Sequence, residues 1–460
     1  MTGFNPARVL CRTSASGCYA SASALQQEIP MFASRLRTMS RAFALIALLA
    51  AFAPRTFAQQ PSQPADERFT LPKLVGLALQ NNQLLSSQDA RAAGERLAAT
   101  QARVWPGLGL DFSAGRRRVA DLSGSRYELS LAQPLPLTGK PGLRGKLLDL
   151  EADSSAVRRG ASEVFVTLDV VRLAYEYAVN RRKAAFVEAR QKRFDLIREY
   201  LSGRPFATPQ RKAESHIVQN KLKILATDAI QSQAGFKASF EKLKVYIPLA
   251  PAAYPDIEVP WLSGANNLEE KEWLAKALEK EPNLRIQRLG VEGAELERSL
   301  AAKDGLPDPS VTASYDQATA GDTEKNFGLG LSLSLPSWNR NRSGIKSAEQ
   351  RTLAAKRLLE FEERRLKAEF PRALVEYDAA RQSAAKYPEA MLREVELQLK
   401  EAEEGFRKGQ LDLLTFLELD NSAAEAFGRV LDAQADLASK LTEIFTATQE
   451  HDAVTLLGSF

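Results

Sequence analysis

The chain contains the same short segment twice, at widely separated positions. Residues 129–142 read LSLAQPLPLTGKPG and residues 331–344 read LSLSLPSWNRNRSG. Four positions keep a constant offset of 202 in residue number: Leu129 with Leu331, Leu131 with Leu333, Pro134 with Pro336, and Gly142 with Gly344. A solenoid unit is only about 20–50 residues long. The sequence therefore predicts a duplicated half-molecule, and the content of each half constrains the fold.

The first 58 residues have the pattern of an export leader. Arg41 precedes the apolar run AFALIALLAAFA at 42–53, and a small-x-small cleavage motif ends at Ala58. This order is typical of a secretory signal peptide. The apolar run is shorter than the ~20 residues that a helix needs to cross a bilayer. We expect translation to start at Met31 or Met39 and the mature chain to begin directly after the cleavage site.

Removal of this leader changes what the composition implies. The whole chain has 62 Lys and Arg against 57 Asp and Glu, a formal net charge of +5. The leader carries six arginines and one acid, and subtracting them leaves 56 of each sign. A neutral mature chain does not favour nucleic-acid binding, which requires a basic patch. Both cysteines, Cys11 and Cys18, also lie in the leader, so we expect no disulfide or thiolate ligand in the mature protein.

Each half contains two segments with period-two alternation. In the first half the segments are separated by a turn over 119–125, and in the second half by a polar turn over 318–326. The apolar positions are Leu108, Leu110 and Phe112, then Tyr127, Leu129 and Leu131, then Val311, Ala313 and Tyr315, then Phe327, Leu329, Leu331, Leu333 and Leu335. The intervening residues are small or polar. Strands of this length and dyad pattern are typical of transmembrane β-barrels.

The remainder of each half predicts long helices. The first half should have helices over 71–104, over 143–202, and from Pro209 to about 245 with Thr208 as N-cap. The second half should have helices over about 268–304, from Ile345 to Gly405, and again after Gly409. Pro371 and Pro388 should kink or break the middle one.

These patterns divide the chain into six segments. They are the leader at 1–58, a flexible N-terminal segment at 59–70, a first repeat at 71–248, a proline-rich linker at 249–267, a second repeat at 268–450, and a C-terminal tail at 451–460.

Four strands with a lipid-facing side cannot close a barrel alone. Unpaired edge groups in hydrocarbon cost several kcal/mol each, so closure requires other copies of the chain. Two copies give eight strands and three give twelve, both within the known range. Eight strands leave an interior filled by side chains, whereas twelve can leave a channel. The long helical hairpins also need partners, and this favours the larger assembly.

The organisation resembles the TolC-type outer-membrane efflux family, whose members also have two tandem halves. Residues 402–414, AEEGFRKGQLDLL, with the helix that follows from Leu417 to Gln434, are similar to that family's helical-tip signature. Residues 336–342, PSWNRNR, and 204–210, RPFATPQ, resemble the heavy-metal branch of the CzcC type. The resemblance covers about 70–450.

The resemblance implies a mainly α fold with a transmembrane β part. Each of two tandem structural repeats would supply two membrane β-strands and long antiparallel helices to a trimeric β-barrel plus α-helical barrel. The implied partners are a periplasmic adaptor, an inner-membrane pump of the resistance-nodulation-division type, and outer-membrane lipid.

The resemblance also implies that the main functional residues lie at the two helical tips. Asp412 is a candidate for an acidic pore ring that favours cations; alternatively it is a charge in a first helical turn, where the helix dipole favours acids. Arg407 and Lys408 either pair with adaptor acids or stabilise a helix C-terminus. The candidate adaptor contacts are Leu201, Ser202, Gly203, Gly409, Gln410 and Leu411.

A second group of candidates flanks the strands. Trp105, Tyr127 and Trp338 lie where an interfacial aromatic belt would lie, and packing at the junction of strands and helices is an equal alternative. Arg340 and Arg342, with Lys140 and Arg144, form a basic run at that junction in both halves. They either face lipid headgroups or tie protomers together.

The sequence offers no catalytic constellation. The two histidines, His216 and His451, are 235 residues apart, and the mature chain has no Cys and one Met, Met391. Soft-metal ligands are thus nearly absent. We expect no enzyme activity, no cofactor and no metal site, since tight binding would slow conduction through a duct.

The sequence therefore predicts an outer-membrane channel subunit of a tripartite efflux system, a passive exit duct for heavy-metal cations. Drugs or dyes are the alternative substrates. A structural coiled-coil protein of the envelope with a barrel anchor is the alternative class, although a stalk needs no hairpin inserted into each half.

Overall fold

The computed structural model describes residues 69–80, 82–202, 208–248, 254–334 and 340–458. The predicted leader and most of the predicted flexible segment lie outside the described residues, as do Gly203 and Trp338. The six segment boundaries stay predictions.

Long helices dominate the described residues. They are α1 Leu71–Gln80, α2 Gln83–Arg103, α3 Lys140–Ser202, α4 Pro209–Leu243, α5 Glu270–Lys280, α6 Pro282–Asp304, α7 Arg342–Ala385, α8 Ala390–Arg407, α9 Leu413–Thr448 and α10 Ala453–Leu457. The 63 residues of α3 give a length of roughly 95 Å. The predicted restart of the chain is confirmed, because the Thr208 side chain accepts a hydrogen bond from the Arg211 amide with Pro209 next in the chain. No described helix is both long and apolar enough to cross a membrane.

Two predicted helices are each divided in two. The helix predicted over 71–104 stops after Gln80 and restarts with Asn82 as N-cap, whose Oδ1 accepts from the Leu84 amide at 2.8 Å. The helix predicted over 268–304 is interrupted at Glu281, whose carboxylate accepts from the Leu284 amide at 2.6 Å. Both predictions were wrong in this respect because each cap satisfies the amides of a new first turn without disturbing the apolar pattern around it.

The two prolines of the second half behave differently. Pro371 lies inside α7 and does not end it, since its neighbours Phe370 and Leu374 are buried in the main core and hold the helix in place. Pro388 lies between α7 and α8, where the chain leaves the helix as predicted.

A four-stranded antiparallel sheet is formed by both halves. It consists of four strands in the order β2-β3-β5-β6, with the bounds β2 Gly109–Val119, β3 Leu122–Pro134, β5 Pro309–Ala320 and β6 Asp322–Leu333. The two short strands β1 Phe69–Thr70 and β4 Ile257–Glu258 form a separate pair. The turns are shorter than predicted: the chain reverses at Ala120–Asp121 and at Gly321, where φ is 93°. Residues predicted to form the turns continue the ladder instead, as Gly124 does opposite Arg117.

The register sorts side chains onto two faces of this sheet. One cross-strand row contains Leu110, Leu131, Ala313 and Leu329, and the next contains Phe112, Leu129, Tyr315 and Phe327. Leu329 and Phe327 are 77% and 74% exposed in the protomer. A contiguous exposed apolar face of this kind marks contact with a membrane or another protein.

The helices form layers with free edges. Near the sheet, α2 packs on α3, α3 on α6, and α6 on α7, which repeats the strand order because each of these helices adjoins one strand. Farther along, α4 packs on α3, α3 on α9, and α9 on α7 and α8. The edge helices expose apolar side chains, namely Ile217, Ile224 and Ile230 on α4, Val375 on α7 and Leu397 on α8. The helical layers therefore end in exposed apolar surface, and the sheet ends in the unpaired strands β2 and β6. Both features are suited to pairing with further copies of the chain.

The described part of the proline-rich linker is packed against both repeats. The Tyr175 hydroxyl donates to the Pro260 carbonyl and the Tyr377 hydroxyl to the Asn266 carbonyl, each at 2.7 Å. Burial raises the pKa of Tyr377 to about 12, so its hydroxyl remains a donor near neutral pH. The two tyrosines differ by 202 in number, so the duplicated halves contribute equivalent hydroxyls to one connector. Strand β4 within the linker also pairs with β1.

Candidate functional site at the helical tips

The ends of the two helical hairpins meet around one apolar cluster. This tip cluster consists of Phe194, Ile197, Val218, Leu225, Ala402, Phe406, Leu413 and Phe416, all buried. The Phe406 ring lies 5.5 Å from the Phe416 ring, which lies 5.7 Å from the Phe194 ring, measured between centroids. The Tyr200 hydroxyl of the first hairpin donates to the Arg407 carbonyl of the second at 3.2 Å. The two tips therefore form one structural unit.

The turn of the second tip depends on two glycines. Gly409 has φ of 72°, a left-handed conformation that favours glycine after a helix C-terminus. The Gln410 amide then donates to the Gly405 carbonyl at 2.8 Å, as in a Schellman motif. A Cβ on Gly405 would lie 3.0 Å from Cδ1 of Leu411. The geometry of this turn therefore explains why the tip signature has glycines at 405 and 409.

Asp412 is the N-cap of α9. Its Oδ1 accepts from the Thr415 amide at 2.7 Å, and its Oδ2 accepts from the Thr415 hydroxyl at 3.0 Å. The amide hydrogen bond, followed by the hydroxyl one, lowers the pKa of Asp412 below its ordinary value. The carboxylate is exposed and charged near neutral pH. This geometry gives Asp412 a local role and leaves its charge open to solvent.

The other tip candidates are partly used within the protomer. Arg407 lies 3.9 Å from Glu403 and Lys408 lies 3.6 Å from Glu404, both as i,i+4 pairs whose basic side chains are more than 60% exposed. Leu201 and Leu411 pack partly against the tip cluster. A shallow cavity of about 180 Å³ lies between the tips and is lined by Tyr200, Leu201, Arg211, Glu214, Phe406, Gly409, Leu411, Asp412 and Leu413.

A buried ion pair lies about one helical turn from the tip cluster, on the side away from the turns. Arg190 Nε donates to Asp420 Oδ1 at 3.1 Å, and their side chains are 8% and 0% exposed. The guanidinium also lies 5.9 Å from the Phe186 ring centroid. Lys221 of α4 donates to Asn421, the residue after Asp420, at 2.6 Å, and burial lowers the pKa of Lys221. One polar cluster therefore joins α3, α4 and α9.

Sequence reasoning missed this ion pair. Arg190 and Asp420 are 230 positions apart, and each lies among other charged residues, so no local signal distinguishes them from a solvated helix face.

The junction of strands and helices uses one of its basic residues internally. Lys140 donates to the Leu306 carbonyl at 2.8 Å and pairs with Asp308 at 3.0 Å, so it ties the first repeat to the second within one protomer. Neither lipid nor a neighbouring protomer is needed to explain it, which corrects the prediction for this residue. Trp105 and Tyr127 are 57% and 48% exposed, and Arg340 and Arg342 are exposed as well.

Within the described residues, no three His, Cys, Asp or Glu side chains converge as metal ligands.

Comparison with known proteins shows a similarity over part of the chain. Residues 273–448 match the family described as "Outer membrane efflux protein". The matched residues lie in the second predicted repeat, and this part of the chain is similar to that family. It is 23% identical over 289 residues to the nickel-cobalt-cadmium resistance protein NccC of Alcaligenes xylosoxydans xylosoxydans, which covers 62% of this chain. The chain spans about 64% of that relative's length.

Solved structures of outer membrane channels have the same fold. The CmeC outer membrane channel of Campylobacter jejuni superposes with a TM-score of 0.66 at 15% identity, covering 85% of this chain and 88% of that one. The open-state MtrE outer membrane channel of Neisseria gonorrhoeae gives 0.65 at 16%, covering 82% and 88%. CusC gives 0.62 at 13%, covering 82% and 91%. These matches confirm the predicted fold class.

Proposed function

We propose that this chain is one subunit of a homotrimeric exit duct for efflux across the outer membrane. The observation that carries the proposal is the sheet with an exposed apolar face and two unpaired edge strands, β2 and β6. Three copies of four strands close a twelve-stranded barrel, which is wide enough for a channel. The free edges of the helical layers, α4 on one side and α7 with α8 on the other, pair in the same way.

The tips are the proposed contact with the rest of a tripartite system. We assign Leu201, Ser202, Gly203, Gly409, Gln410 and Leu411 to a periplasmic adaptor, with Arg407 and Lys408 as candidate partners for adaptor acids. The exposure of both basic side chains supports this assignment. An inner-membrane pump of the resistance-nodulation-division type would supply the energy, and transport through the duct itself would be passive.

The proposed substrates are heavy-metal cations. The similarity to a protein named for nickel, cobalt and cadmium resistance supports this class. The polar face of the sheet, which would line the barrel, carries Asp111, Glu128, Asp316, Asp322 and Glu324 against two arginines, Arg117 and Arg126. An excess of acidic side chains along a pore favours cations.

Deletion of the gene tests the substrate class directly. Growth should become sensitive to nickel, cobalt or cadmium, and unaffected by dyes and detergents. Complementation with the wild-type gene is the control, and deletion of the pump gene should give the same metal profile. Sensitivity to organic compounds alone would replace metals with drugs or dyes as the substrate, and no phenotype for either would overturn the efflux duct.

Substitution of Asp412 separates its charge from its capping role. Asparagine keeps an N-cap oxygen, so Asp412→Asn should preserve the melting temperature, whereas Asp412→Ala should lower it. If three Asp412 carboxylates line the pore, both variants should lower the cation-to-anion permeability ratio of the protein in planar bilayers by a similar amount.

The pH dependence of Asp412 has a defined sign. Because its folded-state pKa is lowered, the capping contribution is present above the unfolded-state pKa and is lost as pH falls through the folded-state value. If Asp412→Asn and Asp412→Ala both kept the wild-type ion selectivity, Asp412 would act only as a helix N-cap and not as a pore-lining charge.

A further inference from the structure

The apolar face of the sheet ends in three cations near the hairpin turns. Arg116 and Arg118 on β2 are in register with Ser125 and Ser123, and Lys325 on β6 is in register with Gln317. By strand alternation they share a face with Leu110, Phe112 and Leu329. All three are exposed. We call Arg116, Arg118 and Lys325 the basic collar.

The acids of the sheet lie on the opposite face. Asp111, Glu128, Asp316, Asp322 and Glu324 alternate with the apolar positions. Two arginines on that polar face are paired with them: Arg117 with Glu324, and Arg126 with Asp316 at 2.5 Å. Among the described residues the basic collar forms no ion pair, so the run Arg116-Arg117-Arg118 places one paired cation on the polar face and two unpaired cations on the apolar face.

The position of the basic collar fixes the environment it meets. The three cations adjoin the turns at Ala120–Asp121 and Gly321, which are the end of the sheet opposite the helices. With the helices in the periplasm, this end lies at the outer leaflet. Closure of the proposed barrel pairs β6 of one protomer with β2 of the next, and so brings Lys325 to the same seam as the neighbour's two arginines.

We propose that the basic collar binds the phosphate groups of lipopolysaccharide, the phosphorylated glycolipid of the outer leaflet. A cation on a lipid-facing surface is costly within the hydrocarbon and tolerated only near the interface, where anionic headgroups complement it. Guanidinium groups bind phosphate through paired hydrogen bonds, and the collar face also carries the exposed Ser123 hydroxyl. The absence of acids from this face of the described sheet removes competing intramolecular partners. This inference rests on the proposed barrel.

Lipid binding to the purified full-length protein tests the proposal. Protein from outer membranes, delipidated in detergent, would be titrated with bis-phosphorylated lipid A and with dephosphorylated lipid A, and bound lipid counted by native mass spectrometry. The wild type should bind the phosphorylated form about 10-fold more tightly or better, given the known attraction of anionic lipid for clustered Lys and Arg. Combined Arg116→Gln, Arg118→Gln and Lys325→Gln should abolish this preference.

The matched control is Arg117→Gln, which removes the neighbouring cation from the opposite face and should retain the preference. Equal binding of both lipid A forms by the wild type would overturn the proposal without any variant, and so would an unchanged preference in the triple variant. Failure of the proposed duct is distinguishable, because it would be seen as wild-type protein absent from the outer-membrane fraction or as a deletion strain without an efflux phenotype.

Discussion

The Asp420→Ala variant should lose about 3–5 kcal/mol of stability, the magnitude typical of breaking a buried ion pair from one side. The substitution leaves the Arg190 guanidinium, 8% exposed, without its carboxylate partner. The nearby Lys221 ammonium increases the cost, because it is a second cation beside a site that has lost the Asp420 carboxylate. Thermal unfolding of the detergent-solubilised protein, read from far-UV circular dichroism at one fixed heating rate, would measure the loss.

The helices involved supply a matched control. Lys183 and Asp432 also join α3 to α9, and their side chains are 32% and 64% exposed. Asp432→Ala should therefore cost under ~1 kcal/mol. Replacing both members of the buried pair, as Arg190→Leu with Asp420→Leu, should restore much of the loss, since an apolar pair of similar volume avoids the desolvation of an unpaired charge. Equal melting temperatures for Asp420→Ala and Asp432→Ala would contradict the assignment.

The Leu331→Arg variant should fail to accumulate in the outer membrane. Leu331 lies on the apolar face of β6, between Leu329 and Leu333, and is 72% exposed in the protomer. An arginine at the bilayer midplane costs ~2–4 kcal/mol in a transmembrane barrel, and the proposed trimer would carry the substitution three times. Quantitative blotting of fractionated outer membranes, with unheated samples to preserve oligomers, would measure the recovered trimer.

The adjacent residue provides the control for Leu331→Arg. Ser332 lies on the polar face of the same strand, in register with Ser310, so Ser332→Arg would face the lumen and should accumulate normally. Normal recovery of both variants would show that the face containing Leu331 does not contact lipid.

Local chemistry explains which parts of the fold were predictable. Thr208 with Pro209 and the glycine at 409 act within a few residues of themselves, so a single sequence reveals them. The strands were equally predictable, because their residues alternate between an apolar face and a polar face of the sheet. The interruptions at Asn82 and Glu281 were missed, since side-chain caps override an apolar periodicity that continues across them.

Long-range pairing explains the parts of the candidate site that were not predictable. Arg190 meets Asp420, and Lys140 meets Asp308, only after the two repeats have packed together. An isolated arginine or lysine on a helix gives no sign of whether it will be buried. The equivalence of Tyr175 and Tyr377 carried the one usable signal, the shared offset of 202, but their target is an irregular segment without periodicity.

The unequal helices of the two repeats have a consequence for symmetry. The first repeat sends an unbroken α3 to its tip, whereas the second reaches its tip through α7 and α8 with an interruption at 386–389. In the proposed trimer, six hairpins would alternate between a rigid type and a jointed type, and the ring would be threefold, never sixfold. A partner that contacts all six hairpin tips would then meet two chemically different sites in alternation. If that partner had six identical chains, three of them would bind one kind of tip and three the other.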